Sequence, residues 1–243
     1  MEYNEIFEHF KEVLKMNNLS HEGSVSNAKD LPVLSGARVQ IEQSAVTEFS
    51  RIKKTAAIAN FYGKLQETGF VLLGYQDKDG VVHLEKCQAV SQTENGYNGG
   101  ANLKSWDFVN QCVEEAQSFA DLGTPIIFHG HTHPADYQKN QQDELERVVA
   151  SNCWSAIDIM GHMLYAELYY KKILFGAMLI TASWDVNTLF YDVENQKLFR
   201  FDGVYCYHRF SKSYIQEDSY RDEDSPFVML DPSFTDFDPI VLT

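Results

Sequence analysis

Alternating stretches of helical and strand periodicity predict an α/β (α+β) fold, a mixed β-sheet flanked by helices. Apolar residues recur at helical spacing in Glu5–Met16, Ser44–Leu65 and Asp107–Ala120. Short apolar runs of strand length lie between and after them: Gly69–Tyr75, Pro125–His129 and Phe175–Thr181. The two kinds of segment alternate along the chain, the order a sheet covered by helices requires.

In the first helix Ile6, Phe7, Phe10, Val13 and Leu14 share one side, and a polar linker follows through Lys29. Residues 1–36 are therefore expected to form an N-terminal helix and linker, the helix lying as a lid on a core edge. Val39 and Ile41 mark a short strand. Ser44 stands where an N-cap would open the second helix, with Phe49, Ile52, Ala56, Ile58 and Ala59 facing inward. Thr47 occupies the position at which a reciprocal capping box would need an acid. The strand from Gly69 is expected to turn at Asp79-Gly80 and return through Val81–Leu84 as a hairpin. Phe108, Val109, Cys112, Val113, Ala116 and Phe119 supply the apolar side of the third helix. Asp143–Ala150 and Ser155–Tyr170 also read as helices, and Asn187–Tyr191 with Lys197–Phe201 as a second hairpin.

Residues 37–216 are expected to form the main domain and 217–243 an acidic C-terminal arm. In that arm Glu217, Asp218, Asp222, Glu223 and Asp224 precede Phe227, Val228, Met229 and Leu230, with Phe234 and Phe237 beyond. Prolines at 226, 232 and 239 break any continuous helix. So much apolar surface predicts an arm folded over the domain, where it modulates substrate access or simply completes the core.

The chain has 243 residues, 44% hydrophobic and 23% charged, which excludes a wholly disordered protein. A net charge of −15 repels a phosphate backbone, and the one basic cluster, Arg51-Ile52-Lys53-Lys54, reads as the wet side of a helix. No nucleic-acid partner is expected. Cys87, Cys112, Cys153 and Cys206 form no CxxC pair and are expected as buried thiols of a reduced protein. The start Met1–Glu8 lacks the basic and apolar parts of a secretory leader, and no run spans a bilayer. A cytoplasmic protein without a membrane span is the expectation. Export into another cell by a dedicated secretion system is compatible with the same sequence.

The chemistry concentrates in three short segments. His131 and His133 stand one residue apart near a strand end, so strand alternation turns both imidazoles to one face, where they can converge on a Zn²⁺. Such a pair also occurs as half-buried hydrogen-bonding residues; Pro134, which stops the strand there, favours an open site. A catalytic zinc takes a third protein ligand and keeps a position for water. Asp158 is a candidate, three residues after Ser155 at a helix start; capping alone would also explain this pair. Glu67, just before the strand Gly69–Tyr75, is a candidate proton acceptor or an exposed residue ahead of an ordinary strand. His129 reads as a neighbour or substrate rim of the pair. His162, one turn after Asp158, reads as its orienting partner or as a packing residue, while Trp154 and Trp184 read as packing residues.

Together Glu67-Thr68-Gly69-Phe70-Val71-Leu72-Leu73-Gly74, His131-Thr132-His133-Pro134 and Ser155-Ala156-Ile157-Asp158 resemble the signature of the JAMM/MPN+ zinc metalloprotease family, over roughly Val39 to Tyr191. The resemblance implies a JAMM/MPN-like sheet. It also implies zinc held by His131, His133 and Asp158, Glu67 as general acid/base, and Ser155 as a stabiliser of the oxyanion. It further implies a deubiquitinase-like isopeptidase or peptidase acting on conjugates of ubiquitin or a ubiquitin-like modifier. The connection from His133 to Ser155 is longer than the family's, because Ala135–Trp154 intervenes. A short connection would instead set Gln141 and Glu144 in the serine and aspartate positions, with Glu144 as the ligand. An insertion at 135–154 keeps both residue types and opens an apolar helix. Two other readings stand beside this one: a catalytically inactive MPN-like protein-interaction module, and a small-molecule amidase.

Overall fold

Strands that are apolar at every position, rather than at alternate ones, need cover on both faces. Phe70, Val71, Leu72 and Leu73 are such a run, as are Ala177, Met178, Leu179 and Ile180, and all eight are buried. The computed structural model describes residues 3–19, 25–26, 31–61, 67–90, 106–133, 154–181 and 185–217. The expected helix at Asp143–Ala150, the expected insertion at 135–154 apart from Trp154, Cys153 and Trp184 lie outside these residues.

Four α-helices run among the described residues: α1 (Tyr3–Met16), α2 (Val46–Phe61), α3 (Trp106–Ala116) and α4 (Ala156–Leu168). The strands are β1 (Val25–Ser26), β2 (Val33–Leu34), β3 (Val39–Ile41), β4 (Gly69–Gln76), β5 (Val82–Val90) and β6 (Thr124–Thr132). They continue with β7 (Trp154–Ser155), β8 (Leu174–Ile180), β9 (Val186–Asp192), β10 (Lys197–Phe201), β11 (Val204–His208) and β12 (Ser213–Glu217). Ten of these form one mixed sheet in the order β12-β11-β3-β5-β4-β6-β8-β9-β10-β2. β1 and β7 pair separately, antiparallel, with Val25 opposite Ser155 and Ser26 opposite Trp154.

The sheet separates two apolar layers. On one side Phe10, Val13 and Leu14 of α1, Val109 and Cys112 of α3, and Ile159 and Met163 of α4 meet Val71, Leu73, Ile127, Ala177 and Leu179. On the other, Phe49 and Ile52 of α2 meet Val39, Ile41, Phe70, Leu72, Phe128, Met178 and Ile180. Odd and even residues of β4, β6 and β8 thus feed different layers, as strand alternation requires. The helix α1 is part of the first layer, and His9 reaches Glu167 of α4 at 3.1 Å, so it is built into the core beside the lid position expected for it.

Both expected hairpins form. β4 pairs antiparallel with β5 around the Asp77–Gly80 turn, and β9 pairs antiparallel with β10. Asp77 Oδ1 accepts the amides of Asp79 and Val81, and Gly80 takes φ +84°, a conformation that favours glycine. A bulge interrupts the first hairpin between Leu73 and Gly74. A Cβ on Gly74 would stand 1.8 Å from the His83 carbonyl oxygen, so the close approach of the two backbones requires glycine.

One expectation is corrected. Ser44 does not cap α2: its hydroxyl donates to Glu85 at 2.8 Å, while the Glu42 carbonyl accepts the amides of Ala45 and Val46 and starts the helix. Glu217, the first residue of the expected arm, closes β12 opposite Val204, and its carboxylate pairs with Lys53 of α2. The rest of the arm lies outside the described residues. Cys112 and Cys206 are buried thiols as expected, and Cys87 is half-buried. Among the described residues no helix is long and apolar enough to cross a membrane.

Candidate metal centre

β6 lies inside the sheet, antiparallel to β4 on one side and parallel to β8 on the other. Its residues Ile127, His129 and His131 point to the side covered by α1, α3 and α4. At its end the His133 amide donates to the Ile180 carbonyl at 2.9 Å, which carries the β8 pairing one residue past the strand. Gly130 has no room for a side chain: a Cβ there would meet Phe70 at 2.4 Å and the Met178 carbonyl at 2.5 Å. The backbone that carries the imidazoles is therefore held from both flanks.

α4 starts against this strand end. Ser155 is its N-cap in a full capping box with Asp158. The Asp158 amide donates to Ser155 Oγ at 3.1 Å, while the Ser155 amide and hydroxyl both donate to Asp158 Oδ2, at 3.0 and 2.6 Å. Capping thus turns the carboxylate back over the helix end, toward the histidines. His131 Nε2 lies 3.0 Å from His133 Nε2 and 3.6 Å from Asp158 Oδ1, and His133 Nε2 lies 3.8 Å from Asp158 Oδ2.

Among the described residues, His131, His133 and Asp158 are the group of three whose ligand atoms lie close enough to hold one metal ion. Tetrahedral zinc with bonds of about 2.0–2.1 Å separates its ligand atoms by about 3.3–3.4 Å. The three separations bracket that value. Two imidazole nitrogens and one carboxylate oxygen are donors of the kind zinc takes in its tetrahedral sites.

Burial favours the neutral form of His131 and His129. It keeps His131 below the ordinary histidine range although Asp158 pulls the other way. His129 is driven down to about 3 by burial first and by its neighbour His131 second, against the opposing pull of Asp158. A neutral ring keeps the lone pair that a metal needs. His162 does not orient Asp158. Its Nδ1 lies 3.0 Å from His129 Nε2, one ring donating to the other beneath the site, and its Nε2 is buried without a hydrogen-bond partner. Trp154 is a packing residue, fully buried and edge-on to His131 at 5.9 Å.

Glu67 enters through the β4–β6 register. Gly69 stands opposite His131, which leaves that spot clear of any side chain. The Thr132 amide donates to the Thr68 carbonyl at 3.1 Å, and the Thr68 amide donates to Thr132 Oγ1 at 2.9 Å. Glu67, partly exposed, precedes Thr68 by one residue at this end of the β4–β6 ladder. Glu144 and Gln141, the alternative pair, lie outside the described residues. The sequence reading missed β7 and its β1 partner, which flank Ser155; two-residue strands leave no periodic signal.

No family model matches the chain, and no curated protein matches it. Among solved structures it is similar to the solution structure of a protein from Salinibacter ruber. The match has 14% identity over 75% of this chain and 98% of that chain, with a TM-score of 0.28. A likeness at that level carries no argument about this chain.

Proposed function

We propose that this chain is a zinc-dependent hydrolase of isopeptide or peptide bonds, acting on proteins conjugated to ubiquitin or a ubiquitin-like modifier. The observation that carries the reading is the approach of His131 Nε2, His133 Nε2 and the Asp158 carboxylate within zinc-ligand range of one another. The choice of substrate rests on the JAMM/MPN+ resemblance of the three motifs.

A zinc ion held by these residues would supply an acidified water and a polarised amide carbonyl. The chain's own groups do the rest. Glu67 accepts a proton from the attacking water and returns it to the departing amine, so one carboxylate serves as base and then as acid. Burial of His131 keeps its ring neutral and able to ligate.

The test pairs metal content with turnover. Purified protein should bind one zinc per chain and cleave a ubiquitin- or modifier-linked substrate, and Glu67→Gln should keep the zinc while losing most of the rate. A wild type without zinc would leave the interaction-module reading standing. Cleavage of small amides but of no modifier conjugate would transfer the proposal to an amidase.

A further inference from the structure

We infer that Ser155 is a positioning residue for the metal ligand Asp158, and that it selects Oδ1 as the ligating oxygen. The inference rests on the zinc reading above but departs from the role the resemblance gives this serine. A serine hydroxyl has one proton to give and two lone pairs to offer. Here one lone pair takes the Asp158 amide at 3.1 Å, and the proton goes to Asp158 Oδ2 at 2.6 Å. The Ser155 amide adds a second donor to the same oxygen at 3.0 Å.

Oδ2 is therefore satisfied twice from one residue. Each oxygen faces one imidazole, Oδ1 at 3.6 Å from His131 Nε2 and Oδ2 at 3.8 Å from His133 Nε2, but Oδ1 receives neither of the Ser155 donors. Two donors on Oδ2 compete with a metal for its lone pairs, which favours attachment through Oδ1 alone and leaves room for water. Donors to a ligating carboxylate fix its orientation in this way. To stabilise an oxyanion instead, the hydroxyl would have to abandon a short, charge-assisted bond.

The two roles predict opposite outcomes for Ser155→Ala. A positioning role predicts zinc affinity lower by about 10- to 100-fold, with the rate at full zinc loading nearly unchanged. An oxyanion role predicts unchanged zinc affinity and a rate lower by about 10²- to 10³-fold. Zinc affinity is read by competition with a chromophoric chelator, which needs no substrate. Ser155→Thr, which keeps the hydroxyl and the cap, should restore the affinity. Unchanged zinc affinity in Ser155→Ala, whatever its rate, overturns the inference. So does a loss of affinity that Ser155→Thr fails to restore, since that loss would belong to the helix start in general. A wild type that takes up no zinc removes the function reading and this one together, whereas equal affinities in wild type and Ser155→Ala remove this one alone.

Discussion

His131 and His83 both face strand β4, opposite Gly69 near its start and opposite Tyr75 near its end, and both have carboxylate neighbours. Their protons differ. His83 is half-buried between two acids, with Nδ1 2.8 Å from Glu42 and Nε2 3.1 Å from Asp77, and it stacks on Tyr75 at 4.9 Å. Burial works against its charge, but the two hydrogen-bonded carboxylates outweigh burial and raise its pKa. His131 is 7% exposed, has one carboxylate at 3.6 Å and lies against other imidazoles; there burial wins and the pKa falls. A carboxylate near a histidine therefore does not settle the ring's charge. The balance between desolvation and the number of direct acid partners does, and it favours the charged ring at one end of the strand and the neutral ring at the other.

The largest effect that would break this comparison lies at the neutral end. His131→Ala and Asp158→Ala should abolish stoichiometric zinc binding, and added zinc should raise the melting temperature of the wild type but not of either variant. Equal zinc-induced shifts in all three proteins would show that the metal sits elsewhere. Next comes Glu67→Gln, expected to retain zinc and lose about 10²- to 10⁴-fold in kcat. An undiminished rate at full zinc loading would remove Glu67 from the chemistry.

At the charged end, Gly74→Ala should destabilise the fold by about 3 kcal/mol, because its Cβ would collide with backbone rather than with a side chain that can turn away. Urea unfolding measures this, and a midpoint equal to that of the wild type would show that the bulge relaxes freely. The smallest effect concerns pH. His83 has a folded pKa above its unfolded value, so its stabilisation is fully present below the unfolded value near 6.5 and is lost as pH rises through the folded pKa. The stability gap between wild type and His83→Gln should accordingly be wider at pH 5.5 than at pH 9. A gap that widens with rising pH would reverse the assignment of charge to this end.

Strands buried on both faces and helices with a clear apolar side were readable from sequence, because burial is written in their period. The Asp79-Gly80 turn was readable from its residue types. β11 carried a period-two signal in Val204, Tyr205, Cys206 and Tyr207, with Val204 and Cys206 buried, yet the reading stopped at Phe201. β12 is exposed at Ser213 to Gln216 and had no apolar pattern to find, since an edge strand is held by its backbone pairing to β11. At the site, His131 and His133 were legible from their spacing and Asp158 from its capping partner. The His129–His162 contact was not, because it joins a strand to a helix across 33 residues and depends on how α4 settles on the sheet. Ser44 misled because a serine before a helical run is a good cap by type, while Glu85 on the neighbouring strand offered its hydroxyl a stronger acceptor.

The pairing of β6 on both edges has a consequence for which cations such a site would accept. Two of the three donors are nitrogens carried by a backbone that β4 and β8 hold in place, so the donor type is set by the fold. Calcium seeks about six to eight oxygens at roughly 2.3–2.6 Å, and magnesium seeks oxygens and keeps its waters, so the donor type would disfavour both however abundant they are. Copper is different. The Irving–Williams order ranks it above zinc for nitrogen and oxygen donors. Discrimination against copper would fall to the cell's supply of free metal, which makes the ion recovered with the protein a record of where it was made.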